Sequence, residues 1–316
     1  MLFSLFLLLV GLAILIFGAD FMVRGSASMA KKWGVSAIVI GLTVVAFGTS
    51  APELIVSLLS AKDGVTDLAI ANVIGSNLAN ILLILGIGAI ITDLKVKKGT
   101  TFKEIPFALL GICLVAIMGN DALLNGQVQN VLTRSDGIAF LAFFVIFIYY
   151  TYGLSKVSGD GDDVETFSWT KSAIYFFCGI VGLIIGGKLI VTNAVSIATL
   201  AGMSEALIGL TIVAIGTSLP ELATTIVAVR KGHTDLAIGN AIGSNIFNVF
   251  WILGLTATIT PLPFNTNANI DVLFTTAATL ILFCVMFLGK KHKLTRIEGI
   301  SFLALYFGYM AFAIMR

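Results

Sequence analysis

Gly48-Thr49-Ser50-Ala51-Pro52-Glu53 sits inside an apolar run, and Gly216-Thr217-Ser218-Leu219-Pro220-Glu221 repeats it 168 positions later. Between residues 38 and 59, Glu53 is the only charged side chain. Roughly 20 apolar residues cross a bilayer, so this run is long enough to span one. A carboxylate at mid-depth is expensive, and in a spanning helix it normally faces a polar pathway. Thr49 and Ser50 lie four and three residues before Glu53, on the same helix face. Pro52 has no N–H, so the carbonyl of Gly48 loses its helical partner. Carbonyls, hydroxyls and a carboxylate are hard oxygen ligands, suited to Na⁺ and Ca²⁺ rather than to soft transition metals. One such stretch reads equally well as a plain kink. A second copy with its own buried Glu repeats the expense and asks for a functional reason.

The repeat continues into the next helix. Comparing 41–80 with 209–248 without gaps gives 23 identities in 40 positions. Asn72, Ser76 and Asn80 are spaced four apart and form one polar stripe, which Asn240, Ser244 and Asn248 repeat. The Gly75-Ser76 and Gly243-Ser244 pairs allow a helix to loosen or a neighbour to approach closely. Close packing accounts for the glycines but not for six amide and hydroxyl groups in register.

Composition fixes the class. The chain has 316 residues, 58% hydrophobic and only 11% charged, with a mean hydropathy of +1.04. This is a polytopic membrane protein. A net charge of +2 carries no nucleic-acid signal, and no protein partner is called for. Cys113, Cys178 and Cys284 fall in apolar segments without metal-ligand spacing and read as small packing residues. His233 and His292 sit in short basic loops and read as solvated. Residues 1–19 lack the positive region of a signal peptide. Gly11 and Gly18 match Gly179 and Gly186 at the 168-residue offset, so the run is kept as a membrane helix.

Ten hydrophobic segments are expected, at about 2–23, 35–61, 67–91, 104–119, 135–153, 171–192, 203–229, 235–259, 270–288 and 297–315. Thr66-Asp67 and Thr234-Asp235 open the third and eighth, where an Asp reads as a cap at the positive end of the helix dipole. Placing the N-terminus outside leaves only Lys62, Arg134, Lys188 and Arg316 of the 19 Lys and Arg on the outer side, as the positive-inside rule requires. Both termini are then extracellular and the 154–170 loop is cytoplasmic. The expected fold is all-α with ten transmembrane helices: a first five-helix repeat at 1–153, a short linker at 154–170 and a second repeat at 171–316. The motif-bearing pairs lie at about 35–91 and 203–259. An odd number of helices per repeat inverts the second copy, which places sites at the midplane where interrupted helices meet. Alternating access uses such a pair of half-structures; a simple pore does not need it.

Other motifs fail on context. Asp160, Asp162, Asp163 and Glu165 lack EF-hand spacing and flanking helices, and read as a solvated linker. Gly159-Asp160-Gly161-Asp162 matches a Gly-x-Gly-Asp protease pattern, but it lies in a hydrophilic loop with no buried partner Asp. Residues 182–188 nearly spell a P-loop, but Leu189 replaces the Ser or Thr that would hold Mg²⁺. There is no His-Glu-x-x-His. Nothing points to an enzyme, to a cofactor or to ATP as the energy source.

Two copies of Gly-Thr-Ser-x-Pro-Glu, each followed by a Gly-Ser-Asn helix, resemble the two α-repeats of the cation/Ca²⁺ exchanger superfamily, most closely its prokaryotic Na⁺/Ca²⁺ exchangers. The likeness covers essentially the whole chain. It implies an ion site between helices 2, 3, 7 and 8. Glu53 and Glu221 would bridge a central Ca²⁺ and share Na⁺; Thr49 and Thr217 would add oxygens to Ca²⁺, with Ser50 and Ser218 serving Na⁺. The backbone carbonyls of Ala46 and Ala214, with Ser76 and Ser244, would complete flanking Na⁺ sites, and Asn80 and Asn248 would line the centre. Helices 1 and 6 would slide as gates. Some relatives, including the K⁺-dependent exchangers, carry Asp at the position of Asn248; Asn here argues against a K⁺ site and leaves two core carboxylates, enough to neutralise one Ca²⁺. Proton-coupled members usually carry a further acidic residue in the helix after each Pro, where this chain has Asn and Ser. The short central loop leaves no room for Ca²⁺-sensing domains.

The expected function is therefore secondary antiport across the cell membrane. Na⁺ moving down its gradient drives Ca²⁺ out, the two ions competing for Glu53 and Glu221. The loaded states carry compensated charge, whereas the empty, doubly ionised site is costly to occlude. Protons compete for buried carboxylates, so exchange should weaken at low pH. A Ca²⁺/H⁺ antiporter using the same two glutamates is the alternative. A cation channel would use the same oxygens but would not need the inverted repeat.

Overall fold

In hydrocarbon every backbone N–H and C=O must be paired within its own segment, which turns long apolar runs into helices. A computed structural model describes residues 2–155, 166–201, 214–265, 268–288 and 291–315. Its longer helices are α1 (Leu2–Trp33), α2 (Ala37–Thr49), α3 (Ala51–Lys62), α4 (Thr66–Ile91), α5 (Lys98–Met118), α6 (Arg134–Ser155), α7 (Trp169–Leu200), α8 (Leu219–Arg230), α9 (Thr234–Ile259), α10 (Ala268–Val285) and α11 (Arg296–Met315). Among the described residues eight of these are long and apolar enough to cross a membrane, and α2 with α3, bent by 45°, makes a ninth span. Part of the expected segment 203–229 lies outside the described residues; α8 is its described end. Residues 156–165 of the expected linker also lie outside them.

Equivalent elements recur at the 168-residue offset. α3 and α8 begin at Ala51 and Leu219, α4 and α9 at Thr66 and Thr234. Within α4 and α9 the helix widens to π geometry from Ala79 and from Phe247. Two short antiparallel ladders tie the halves together. β1 (Leu94–Lys95) pairs with β4 (Lys293–Leu294), and β2 (Val131–Leu132) pairs with β3 (Leu262–Pro263). Hydropathy carries no signal for two-residue strands, so these were not anticipated.

Two details differ from the sequence expectation. α1 ends at Trp33 rather than 23, and α7 at Leu200 rather than 192. Hydropathy falls at Arg24, yet the helix continues because Asp20, one turn earlier, pairs with it at 2.8 Å and small residues from Gly25 to Ala30 keep one face buried. Asp67 and Asp235 do lie in the first turns of their helices, but neither makes a side-chain cap. Asp235 instead pairs with Lys97, across the two halves, at 2.7 Å.

α4 and α9 form the centre. In each, 78% of the apolar span is buried, against 22% for α1 and 17% for α11. Phe140, Phe144 and Phe147 of α6 pack on Phe247 and Phe250 of α9, while outer side chains such as Phe3 and Phe6 are exposed, as lipid contact allows. α1 and α7 lie against each other along glycines. A Cβ on Gly18 would meet the Leu183 nitrogen at 2.7 Å, and one on Gly179 would meet the Met22 nitrogen at 2.5 Å. Backbone-to-backbone contact of this kind is how membrane helices gain packing without a hydrophobic driving force.

Overpacking normally costs about 1–3 kcal/mol. Gly179→Leu should therefore lower the unfolding temperature in detergent clearly. Gly308→Ala, at an exposed position with nothing within 4 Å, should leave it unchanged. Equal melting of the two variants would contradict the seam.

Candidate ion-binding site

Pro52 and Pro220 stand at the second positions of α3 and α8, so each helix starts afresh after its hydroxyl pair. Thr49 ends α2, and Ser50 leaves helical geometry with ψ near 8° before α3 begins. Ser218 repeats this with ψ near 5°. The break points Glu53 and Glu221 inward from the first turn of a helix, and both are 1% exposed. α2 reaches the site by lying backbone to backbone on α9: a Cβ on Gly243 would meet the Leu42 carbonyl at 2.7 Å.

Donors converge on one oxygen of each carboxylate. Ser76 donates to Glu53 Oε1 at 3.0 Å. Glu221 Oε1 accepts from Ser50 at 3.0 Å and from Ser244 at 3.4 Å. Ser76 and Ser218 hydroxyls meet at 2.8 Å. Thr49 donates to Asn240 Oδ1 at 3.0 Å, and Thr217 to Asn72 Oδ1 at 3.3 Å. Asn72 and Asn240 in turn donate to the backbone carbonyls of Glu53 and Glu221, at 3.1 and 3.5 Å. The Ala46 carbonyl accepts from Ser50 N at 3.0 Å and from the Thr49 hydroxyl at 3.4 Å. Ala214 opens a short helical turn, Ala214–Gly216, just before Thr217.

Two of the cross-half contacts come in matched pairs at the 168-residue offset, as in a two-fold pair. Thr49–Asn240 is matched by Thr217–Asn72, whereas Ser50–Glu221 and Ser76–Ser218 stand singly. Asn80 Nδ2 donates to Asn245 Oδ1 and Asn248 Nδ2 to Asn77 Oδ1, both at 3.0 Å. The result is one site assembled from both repeats.

Among the described residues, the buried oxygens that lack a hydrogen-bond partner include one from each of four residues of the two motif-bearing halves: Glu53 Oε2, Glu221 Oε2, Asn80 Oδ1 and Asn248 Oδ1. A buried polar atom left unpaired costs about 1–3 kcal/mol, and more if charged. Neither glutamate is paired with a Lys or Arg among the ion pairs of the described residues. Carboxylate and amide oxygens are hard donors of the kind that Na⁺ and Ca²⁺ take. The donors commit only one oxygen of each carboxylate and leave the other free to ligate.

Hydrogen bonds gather Ser50, Ser244 and Thr49 around Glu221, and Ser76, Ser218 and, through Asn72, Thr217 around Glu53, while Asn80 and Asn248 bond across the halves to Asn245 and Asn77. Sequence reasoning passed over Asn77 and Asn245. They stand in register in the Gly-Ser-Asn repeat but off the four-residue stripe. The π widening begins one residue before Asn80 and Asn248, one turn after the Gly75-Ser76 and Gly243-Ser244 pairs; such segments recur at functional sites.

Comparison with known proteins gives a consistent picture. The family model described as sodium/calcium exchanger protein matches residues 3–153 and 171–315. The putative antiporter CaxA of Alkalimonas amylolytica is 39% identical over 321 residues, covering 98% of both chains. The sodium/calcium exchanger MaX1 of Methanosarcina acetivorans is 30% identical, covering 96% of both. A structure of the sodium-calcium exchanger NCX_Mj, soaked with 2.5 mM Na⁺ and 10 mM Sr²⁺, superposes with a TM-score of 0.85 at 32% identity, covering 98% of each chain. Together with the twin Pro-Glu breaks and their shared oxygen site, this makes the chain a member of the sodium/calcium exchanger protein family.

Proposed function

We propose that the protein exchanges Na⁺ for Ca²⁺ across the cell membrane by alternating access, normally extruding Ca²⁺. The observation that carries this reading is the set of four unpaired buried oxygens, one carboxylate and one amide from each half. Two formal negative charges match one Ca²⁺. Thr49, Thr217, Ser50, Ser218, Ser76 and Ser244, with the carbonyls of Ala46 and Ala214, supply neutral oxygens that Na⁺ needs and a proton does not. Na⁺ and Ca²⁺ then compete for Glu53 and Glu221, and only a loaded site is cheap to carry through a low-dielectric barrier. The relatives named sodium/calcium exchangers support the choice of ions.

The reading includes ten helices in two inverted five-helix repeats, at 1–153 and 171–316, joined by a cytoplasmic linker at 154–170, with both termini extracellular. The reciprocal contacts across the site support it, because inverted repeats meet at a midplane site about a pseudo-two-fold axis. A pair of charges adds support. Asp20 of α1 pairs with Lys231, just after α8, at 2.6 Å. Their counterparts at the offset are Lys188 of α7 and Asp63, just after α3. The signs are exchanged, both residues are exposed and no ion pair joins them. In inverted repeats these pairs lie on opposite membrane faces, so one closes as the other opens. With the Asp20–Lys231 pair closed and the Lys188–Asp63 pair apart, this conformation corresponds to one of the two states that such a cycle needs.

Ca²⁺ uptake into proteoliposomes loaded with Na⁺, at equal pH and clamped potential, should require the internal Na⁺. Uptake that ignores Na⁺ but follows a pH gradient would reassign the protein as a Ca²⁺/H⁺ antiporter; flux far above carrier rates without a counter-ion would make it a channel. Breaking a buried charge interaction costs about 3–5 kcal/mol, so Glu53→Gln or Glu221→Gln should weaken Ca²⁺ transport more than roughly 100-fold. Full activity in either variant would contradict the site.

The charge pairs have their own test, in a background without Cys113, Cys178 and Cys284. A short thiol cross-linker joining Asp20→Cys to Lys231→Cys should trap the resting protein and stop exchange. The pair Asp63→Cys and Lys188→Cys should cross-link only during turnover. Unchanged exchange after both cross-links would contradict the alternation.

A further inference from the structure

Asn80 and Asn248 can serve a cation only through Oδ1, because an amide turned by 180° presents NH₂ hydrogens instead. Both side chains are 1% exposed, and both Oδ1 atoms lack a donor. What holds them this way round is the pair that sequence reasoning passed over. Asn245 Oδ1 accepts from Asn80 Nδ2 at 3.0 Å, and Asn77 Oδ1 accepts from Asn248 Nδ2 at 3.0 Å. Asn77 is itself fixed, since its Nδ2 donates to the Asn245 backbone carbonyl at 3.3 Å. Asn77 and Asn245 are 3% and 2% exposed, so water does not substitute for these contacts.

We infer that Asn77 and Asn245 are positioning residues that lock the central amides with oxygen toward the cation, each acting on the opposite half. Asn245 of the second repeat orients Asn80 of the first, and Asn77 of the first orients Asn248 of the second. An accepting oxygen beside each Nδ2 makes the flipped amide doubly unfavourable: it would bring two oxygens together and point hydrogens at the cation. The crossing also makes each half's ligand depend on a side chain of the other half. Movement between the repeats therefore changes ligand orientation as well as ligand distance. The inference rests on the exchange site proposed above, but it names residues outside that site's ligand set.

A double-mutant cycle tests the crossed wiring, because residues acting through one partner are non-additive. The readout is ⁴⁵Ca²⁺ binding to purified full-length protein, with Na⁺ competition in parallel and detergent melting as the folding control. Asn245→Leu should weaken Ca²⁺ about tenfold in the wild-type background and add nothing to Asn80→Ala. The same change should add its full loss to Asn248→Ala. Asn77→Leu should behave the opposite way. Asn245→Asp, which keeps an acceptor for Asn80 Nδ2 and serves if the leucine variant does not fold, should leave Asn80→Ala still costly. Additive losses in all four combinations would overturn the positioning role while Glu53→Gln still abolished binding. If Glu53→Gln bound Ca²⁺ like the wild type, the exchange site itself would fail, and with it the ground for this inference.

Discussion

Two carboxylates lie in the core of a membrane protein without a basic partner. That constraint governs the rest. A charge in a low-dielectric interior needs compensation, and among the described residues no Lys or Arg is paired with either carboxylate. In the proposed exchange that compensation comes from the transported cation. The hydroxyls and amides around Glu53 and Glu221 are arranged to stabilise the carboxylates while leaving four acceptor oxygens open. A resident salt bridge would have produced a stable, silent core. An uncompensated pair produces a site whose charge balance changes with its load, which is the physical basis of coupled exchange.

Local chemistry builds that site. Pro52 and Pro220 restart their helices and turn Glu53 and Glu221 inward. Backbone contact at Gly243 brings the broken strand of chain in α2 against the polar stripe of α9. The π segments begin beside Asn80 and Asn248. None of these features is stable alone, since each strains or interrupts a regular helix. They are held by a surrounding shell of regular, lipid-facing helices with ordinary apolar packing. The α1–α7 glycine seam is a backbone-to-backbone contact within that shell, so these two helices are expected to shift together rather than separately.

Much of this was legible in the residues. The twin motif, the 168-residue offset and the polar stripes named nearly every group that converges on the two glutamates. Asn77 and Asn245 escaped because the stripe was drawn on helical spacing within one repeat, whereas their role is to contact the other. The extension of α1 past Arg24 escaped because hydropathy averages charge and cannot see that Asp20 neutralises it. The interrepeat ladders and the Lys97–Asp235 pair join residues far apart in sequence, which single-helix patterns do not encode. What sequence missed is thus consistently tertiary and interrepeat, and what it caught is local and repeated.

The most direct measurement is a calorimetric titration of Ca²⁺ into the purified protein at a series of Na⁺ concentrations. The account requires one Ca²⁺ per chain, an apparent affinity that falls steadily as Na⁺ rises, and loss of both Ca²⁺ and Na⁺ responses in Glu53→Gln. Ca²⁺ binding that persisted unchanged at high Na⁺ would contradict a shared site, and the two carboxylates would then need another occupant.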